Sequence, residues 1–295
     1  MNFMQANTYM VKPRHHIKIP ELPTSAHEQK PDKKELEKLL QDDIKEISEY
    51  QYRLYAEGRQ SLLVILQGMD ASGKDSAVRH IMSGLNPQGV LVYSFKAPTS
   101  SELSHDFLWR HYIKLPEKGQ LVVFNRSHYE NVLISKVHPE IVLTEKLPGI
   151  DSVDKLDEEF WMKRYQQIND FEHAISASGI HILKFFLHIS YKEQRKRFLK
   201  RIDEKEKHWK FSSSDITERE FWDNYQHAYE DVLNETSKGY APWYAVPADN
   251  KWYAHLLMGK IILDKLKQMD PKFPVTTKNE EAQLEKAKEK LEREE

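Results

Sequence analysis

The chain of 295 residues has no cysteine, which rules out disulfides and thiolate metal sites and permits a reducing compartment. It also lacks an excess of charge of either sign, since 44 Lys and Arg stand against 46 Asp and Glu. A globally basic binder of nucleic acid is therefore not indicated, and any anion site must arise from local clustering. No apolar run approaches the ~20 residues that cross a bilayer. The opening segment, MNFMQANTYMVKPRHH, lacks the continuous apolar stretch of a signal peptide. The expectation is a cytoplasmic protein with neither membrane nor nucleic-acid partners.

What the chain does contain is an alternation of short apolar runs and helical patterns. Residues 1–33 carry Pro13, Pro20, Pro23 and Pro31 and read as an extended arm that wraps the domain or a partner subunit. Leu36, Leu39, Leu40, Ile44, Ile47 and Tyr50 recur at helical spacing, which predicts an amphipathic helix over 34–58. Strands are predicted at 61–67 (SLLVILQ), 90–95 (VLVYSF), 120–124 (QLVVF), 181–189 (HILKFFLHI) and 245–248 (AVPA). Helices are predicted between them at 101–112 and about 156–178, with a basic helical pair at 191–233 and a last helix at 251–269. Such alternation implies a parallel five-stranded sheet covered on both faces. The domain would span 34–270, and the Lys/Glu-rich tail at 271–295 reads as a solvated helix or a partly disordered segment.

Three stretches carry chemistry. Gly68, Gly73 and Lys74 satisfy G-x-x-x-x-G-K between a strand and a helix. Glycines let the backbone bend and aim N–H groups at phosphate oxygens, while the lysine and the helix dipole add positive charge. Asp75 follows the lysine, and the hydroxyl comes one place later, at Ser76. Asp70 inside the loop would repel a phosphate unless a cation intervened, so it reads as a Mg²⁺ ligand, a general base, or both in different steps.

The strand at 120–124 runs into Asn125, Arg126, Ser127, His128, Tyr129 and Glu130. Asn125 stands where P-loop kinases place a metal-supporting acid, at the end of a strand beside the loop strand, and it offers a neutral oxygen. Arg126 can hold a transferring phosphoryl group bidentately. The bland alternative is a helix cap at Ser127 with a structural Arg–Glu pair, and His128 reads as packed rather than catalytic. Beyond the fourth strand, Arg197 and Arg201 share a helix face, and Lys207 and Lys210 follow near a turn. This segment, at about 190–220, reads as a lid over phosphates, with Trp209 and Phe211 as core or hinge anchors.

The stretches GMDASGKDS (68–76), FNRSHYE (124–130), EQRKRFLKR with KHWKFSSSD (193–215) and APWYAVPADNKWYA (241–254) together resemble the family-2 polyphosphate kinases, over most of the chain from about Leu36 to Lys267. The resemblance implies a P-loop kinase three-layer sandwich of thymidylate-kinase type with a helical lid. It implies reversible, Mg²⁺-dependent transfer (Mn²⁺ being the alternative metal) of the terminal phosphoryl of inorganic polyphosphate to nucleoside mono- and diphosphates. Asp70, Lys74 and Arg126 would be catalytic. Gly68, Met69, Ala71, Ser72, Gly73, Lys74, Asp75, Ser76, Asn125 and Glu130 would bind phosphate and nucleotide. Asp70 and Asn125 would hold metal, and Arg197, Arg201, Lys207 and Lys210 the polyanion.

Many members have Asp where this chain has Asn125 and Asn where it has Glu130. The Asn/Glu combination resembles the subgroup that accepts both AMP and ADP. Adenine and guanine nucleotides and a homo-oligomer are the implied partners. Two other readings fit the residues less well: an ATP-dependent nucleoside monophosphate kinase, and a non-catalytic polyphosphate sensor.

Overall fold

The computed structural model describes residues 6–26, 32–210 and 212–294; the side chains of Lys207 and Lys210, the whole of Phe211, and Pro31 of the N-terminal arm fall outside that description. Six strands form one sheet: β1 (Met10–Val11), β2 (Ser61–Gln67), β3 (Val90–Ser94), β4 (Leu121–Asn125), β5 (Ile180–His188) and β6 (Trp243–Pro247), in the order β1-β6-β5-β2-β4-β3. Five are mutually parallel, as expected from the alternation, but β1 pairs antiparallel with β6. The five-strand expectation is thus corrected to six. The extra strand comes from the N-terminal arm and is only two residues long, too short to leave a periodic signature.

Helices of at least eight residues are α1 (Lys33–Glu57), α2 (Lys74–Ile81), α3 (Glu158–Ala177), α4 (Tyr191–Asp203), α5 (Trp222–Thr236), α6 (Lys251–Met269) and α7 (Lys278–Glu292). Helices α1, α2 and α6 pack together on one side of the sheet, with α3 and α5 paired on the other. The central strands β2 and β4 are buried at every position, because helices cover both faces. Asp32 caps α1 by accepting from the Glu35 N–H, and Gly58 ends it in the left-handed region (φ 61°).

The arm wraps its own domain. Ile17 exchanges two backbone hydrogen bonds with the side chain of Asn234, the Ile19 N–H donates to Glu230, and Val11 and Ile19 are buried. The single helix expected over 101–112 is instead two single turns, Ser100–Leu103 and Trp109–Tyr112. Thr99 and Glu102 form a capping box that starts the first, and Asp106 accepts from the Leu108 N–H to start the second, so local side-chain bonds outcompete a continuous helix. The tail segment α7 is helical and buries none of its residues.

Candidate active site

The site lies at the carboxyl ends of β2 and β4, neighbours at the centre of the sheet. Between β2 and α2 the loop Gly68–Gly73 turns through backbone angles that constrain its sequence. Gly68 has φ 154°, and a Cβ there would stand 2.8 Å from both Leu187 O and Ser72 Oγ, so no larger residue fits. Gly73 has φ 112° and serves as the N-cap of α2. Ala71 (φ 60°) and Arg126 (φ 64°) are left-handed without being glycine, a strain of about 1–3 kcal/mol each that persists where surrounding contacts dictate the backbone.

Lys74, the first residue of α2, folds back over the loop. Its Nζ donates to Gly68 O at 2.5 Å and to Met69 O at 3.2 Å. Burial lowers its pKa to about 8, Arg126 adds to the effect, and Asp70 opposes it. The lysine is thus a buried cation whose hydrogen-bond partners among the described residues are carbonyls, on a loop of the kind that receives phosphate.

Arg126 bridges two acids. Its Nη2 donates to Asp70 Oδ1 at 2.7 Å and its Nη1 to Glu130 Oε2 at 3.2 Å. Glu130 first, and then Asp70 against the opposing effect of burial, hold the guanidinium above its ordinary range, so it is charged at every working pH. The strand end and the loop therefore meet through one cation. Asn125 Nδ2 donates to Asp75 Oδ1 at 2.9 Å, an orientation that follows from a carboxylate's inability to donate. The other amide atom, Asn125 Oδ1, is buried with no hydrogen-bond partner among the described residues, as is Ser72 Oγ.

A divalent ion of the Mg²⁺ type takes oxygen ligands and commonly uses one or two protein groups plus substrate phosphates. The carboxylate of Asp70 and the unpartnered Oδ1 of Asn125 suit such an ion by chemistry. Among the described residues no group of three or more His, Cys, Asp or Glu could hold a metal alone, so water and substrate oxygens would complete its shell.

The segment expected to be a lid, with the start of α5, lines the other side of the pocket. Gly68, Asp70, Arg126 and Glu130 form one wall, and Gln194, Asp215, Glu218, Arg219, Tyr225 and Tyr229 form the other. Gln194 joins the two walls by donating to Asp70 O at 3.0 Å and accepting from Arg219 Nη1 at 2.6 Å. The Arg219 guanidinium also lies 3.5 Å over the Tyr191 ring. Glu218 is held by Tyr225 OH at 2.6 Å and by His138 Nε2 at 3.0 Å.

The basic residues expected to hold a polyanion fall into different places. Arg197 is buried, and its donors go to Glu193, to Ala71 O and Ser72 O of the loop, and to Ala248 O and Asp249 O after β6. It ties the base of the lid to the phosphate loop. Arg201 pairs with Asp215 at 2.8 Å. The side chains of Lys207 and Lys210 lie outside the described residues, as does Phe211. Trp209 is 78% exposed, so its expectation as a core anchor is corrected.

Sequence reasoning did not single out Gln194, Arg219 or Tyr225. Arg219 lies inside the basic stretch already read as a lid, but its partner Gln194 is 25 positions away and no spacing rule links them. Asp75 and Ser76, expected in the site, sit on the first turn of α2; Asp75 is exposed, and Ser76 is half-buried.

Comparison with known proteins agrees with this geometry. Residues 30–274 match the family described as Polyphosphate kinase 2. An ADP-polyphosphate phosphotransferase of Rhodopseudomonas palustris is 49% identical over 245 residues, covering 83% of this chain and 84% of the relative. An AMP/ADP-polyphosphate phosphotransferase of Meiothermus ruber is 44% identical over 228 residues, covering 77% and 80%. The crystal structure of Polyphosphate Kinase 2 from Arthrobacter aurescens superposes with a TM-score of 0.78 at 38% identity and 90% coverage of both chains. With a glycine-shaped loop between β2 and α2 and these relatives along most of its length, the chain belongs to the polyphosphate kinase 2 family.

Proposed function

We propose that this protein transfers the terminal phosphoryl group of inorganic polyphosphate to AMP and ADP, and runs the same step in reverse. The observation that carries the reading is Arg126 held between Asp70 of the phosphate loop and Glu130, all three lining one pocket, beside a loop whose buried lysine donates to carbonyls. Phosphoryl transfer breaks one P–O bond and forms another with little covalent help, so its catalysts position phosphates and neutralise charge.

Lys74 would receive a phosphate oxygen by exchanging its carbonyl partners for a charged acceptor, a stronger hydrogen bond. Arg126 would clamp the group in transit. Asp70 and Asn125 would hold a divalent metal, Mg²⁺ by preference or Mn²⁺; when bound, such an ion offsets charge on the phosphate oxygens. Arg126 would reach the substrate by exchanging one of its two carboxylates for a phosphate oxygen. Arg197 would act on the polyanion indirectly, through the backbone of Ala71 and Ser72. Arg201 would reach it only by exchanging Asp215 for phosphate.

The pairing of Asn125 with Glu130 supports use of both AMP and ADP, in keeping with the name of the Meiothermus relative. Guanine nucleotides as further acceptors, a thymidylate-kinase-like class for the sheet and its layers, a cytoplasmic location and a homo-oligomeric state complete the proposal. Light scattering in solution tests the last of these.

The activity is tested by incubating the protein with polyphosphate and Mg²⁺ and with AMP, ADP or GMP in turn, and separating the products by chromatography. ADP followed by ATP from AMP supports the reading. Product from ADP alone would remove the dual-acceptor part, and no product from any acceptor would reject it.

A further inference from the structure

Behind the candidate site, on the far side of the strand end, lies a fully buried polar cluster that no catalytic role accounts for. Lys184 of β5, Glu172 of α3, and His128 and Tyr129 of the segment after β4 are all 0% exposed. Lys184 Nζ uses all three of its protons, on Glu172 Oε2 at 2.6 Å, Tyr129 OH at 2.8 Å and Thr236 O at 2.8 Å. Tyr129 OH in turn donates to Glu172 Oε1 at 2.8 Å, and His128 Nε2 stands 3.2 Å from the same oxygen. Burial alone would push the Glu172 carboxyl up, but Lys184 and His128 outweigh it and hold the acid below its ordinary range. The pair is therefore ionic.

A buried ion pair is weak evidence of stabilisation, because well-packed apolar residues often do as well. Its place in the chain suggests another use. His128 and Tyr129 lie between Arg126 and Glu130, so the same short turn presents two residues to the buried cluster and two to the pocket. The turn begins at Arg126, whose φ of 64° must be enforced from outside. On one side it is held by the Arg126 N–H on Leu66 O at 3.1 Å and by Gln67 Nε2 on Ser127 Oγ at 3.1 Å. On the other side the anchors are the buried rings of His128 and Tyr129.

We propose that the Lys184–Glu172 pair, acting through the Tyr129 hydroxyl and the His128 ring, is a positioning device that fixes Arg126 and Glu130 at the reacting phosphate. These residues touch no substrate. They set the register of a turn whose other side chains do. The inference rests on the site reading given above.

The test is a double-mutant cycle of Tyr129→Phe with Arg126→Lys in the full-length protein, by steady-state kinetics with polyphosphate and AMP. Tyr129→Phe keeps the ring and removes only the hydroxyl. It is expected to lower kcat about tenfold while both KM values stay within about twofold, because orientation acts on the transition state. In the Arg126→Lys background the same change is expected to cost less than about twofold, since the side chain it orients is already altered. A merely structural role predicts losses that multiply, or a kcat that follows only the folded fraction in thermal melts.

Wild-type kcat in Tyr129→Phe, or multiplying losses, would overturn the proposal. Full activity of Arg126→Lys together with Arg126→Ala would instead reject the underlying site. Should Tyr129→Phe not fold, Glu172→Gln, which keeps an acceptor for the hydroxyl but removes the charge, is read the same way. Failure of both variants to fold would make the cluster a folding element and also refute the inference.

Discussion

The phosphate loop and the segment proposed as its lid keep their shapes by different means. The loop depends on backbone: left-handed angles at Ala71 and Gly73, a wide positive φ at Gly68, a Ser72 N–H on Met69 O, and a lysine returned to its own carbonyls. The lid depends on pairs of side chains, with Arg201 on Asp215, Arg219 on Gln194, and Glu218 between His138 and Tyr225. Backbone geometry changes little when a ligand arrives, whereas a charge pair at a pocket edge can exchange its carboxylate for a phosphate oxygen. On the proposed function, the loop is a preformed anion cradle, and the lid a set of contacts that phosphate would replace. Arg197 joins the two, being rooted on the lid helix with its donors on the loop carbonyls.

Removing the cradle's cation should have the largest effect. Lys74→Ala is expected to lower kcat by about 10²–10³, the range for losing one preorganised charge partner. Steady-state rates and a circular dichroism melt check that activity falls while the fold persists. Activity within about threefold of wild type would mean that the cradle does not hold the reacting phosphate.

The next effect is pH-dependent. Lys74 titrates near pH 8, so its charge is present below that pH and lost above it. The kcat/KM for polyphosphate, which reports the free enzyme, should fall about tenfold between pH 7 and pH 9. Lys184 also titrates near 8, but it lies in the buried cluster behind the site. Lys74→Arg should therefore shrink the alkaline limb to the part that Lys184 sets through the cluster, and a limb of undiminished size would transfer it from Lys74 to another group.

Lid substitutions should be milder and selective. Arg201→Ala is expected to raise the KM for polyphosphate about fivefold and that for nucleotide less than about twofold. The reverse pattern would place the lid arginine on the wrong substrate. Smallest of all is the tail. Helix α7 buries none of its residues, so ending the chain at Thr277, which keeps the Lys272 N–H on Glu57 and the Phe273 ring on Tyr52, should leave kcat and the melting temperature nearly unchanged. A clear loss of either would show that α7 has a partner.

How much of this was legible beforehand depends on the range of the interaction. The phosphate loop was visible because glycine spacing between a strand and a helix reflects a local backbone demand. Arg126 and Glu130 were visible because they follow a strand end directly. His128 was expected to be packed, and it is fully buried. Arg197 and Arg201 share a helix face by spacing, but the fold draws one inward to carbonyls and gives the other an aspartate fourteen positions on. The link from Gln194 to Arg219, and the cluster of Lys184, Glu172 and Tyr129, join residues from separate elements, so no periodicity reveals them. The sixth strand was missed because two residues carry no pattern.

The most direct test of the account is a donor comparison. AMP and Mg²⁺ are supplied with either polyphosphate or ATP as the phosphoryl donor, and initial rates are followed by ³¹P NMR. The account predicts rapid conversion of AMP with polyphosphate, loss of that conversion on chelation of the metal or in Lys74→Ala, and little transfer from ATP. Efficient transfer from ATP with none from polyphosphate would contradict it and make the protein a nucleoside monophosphate kinase.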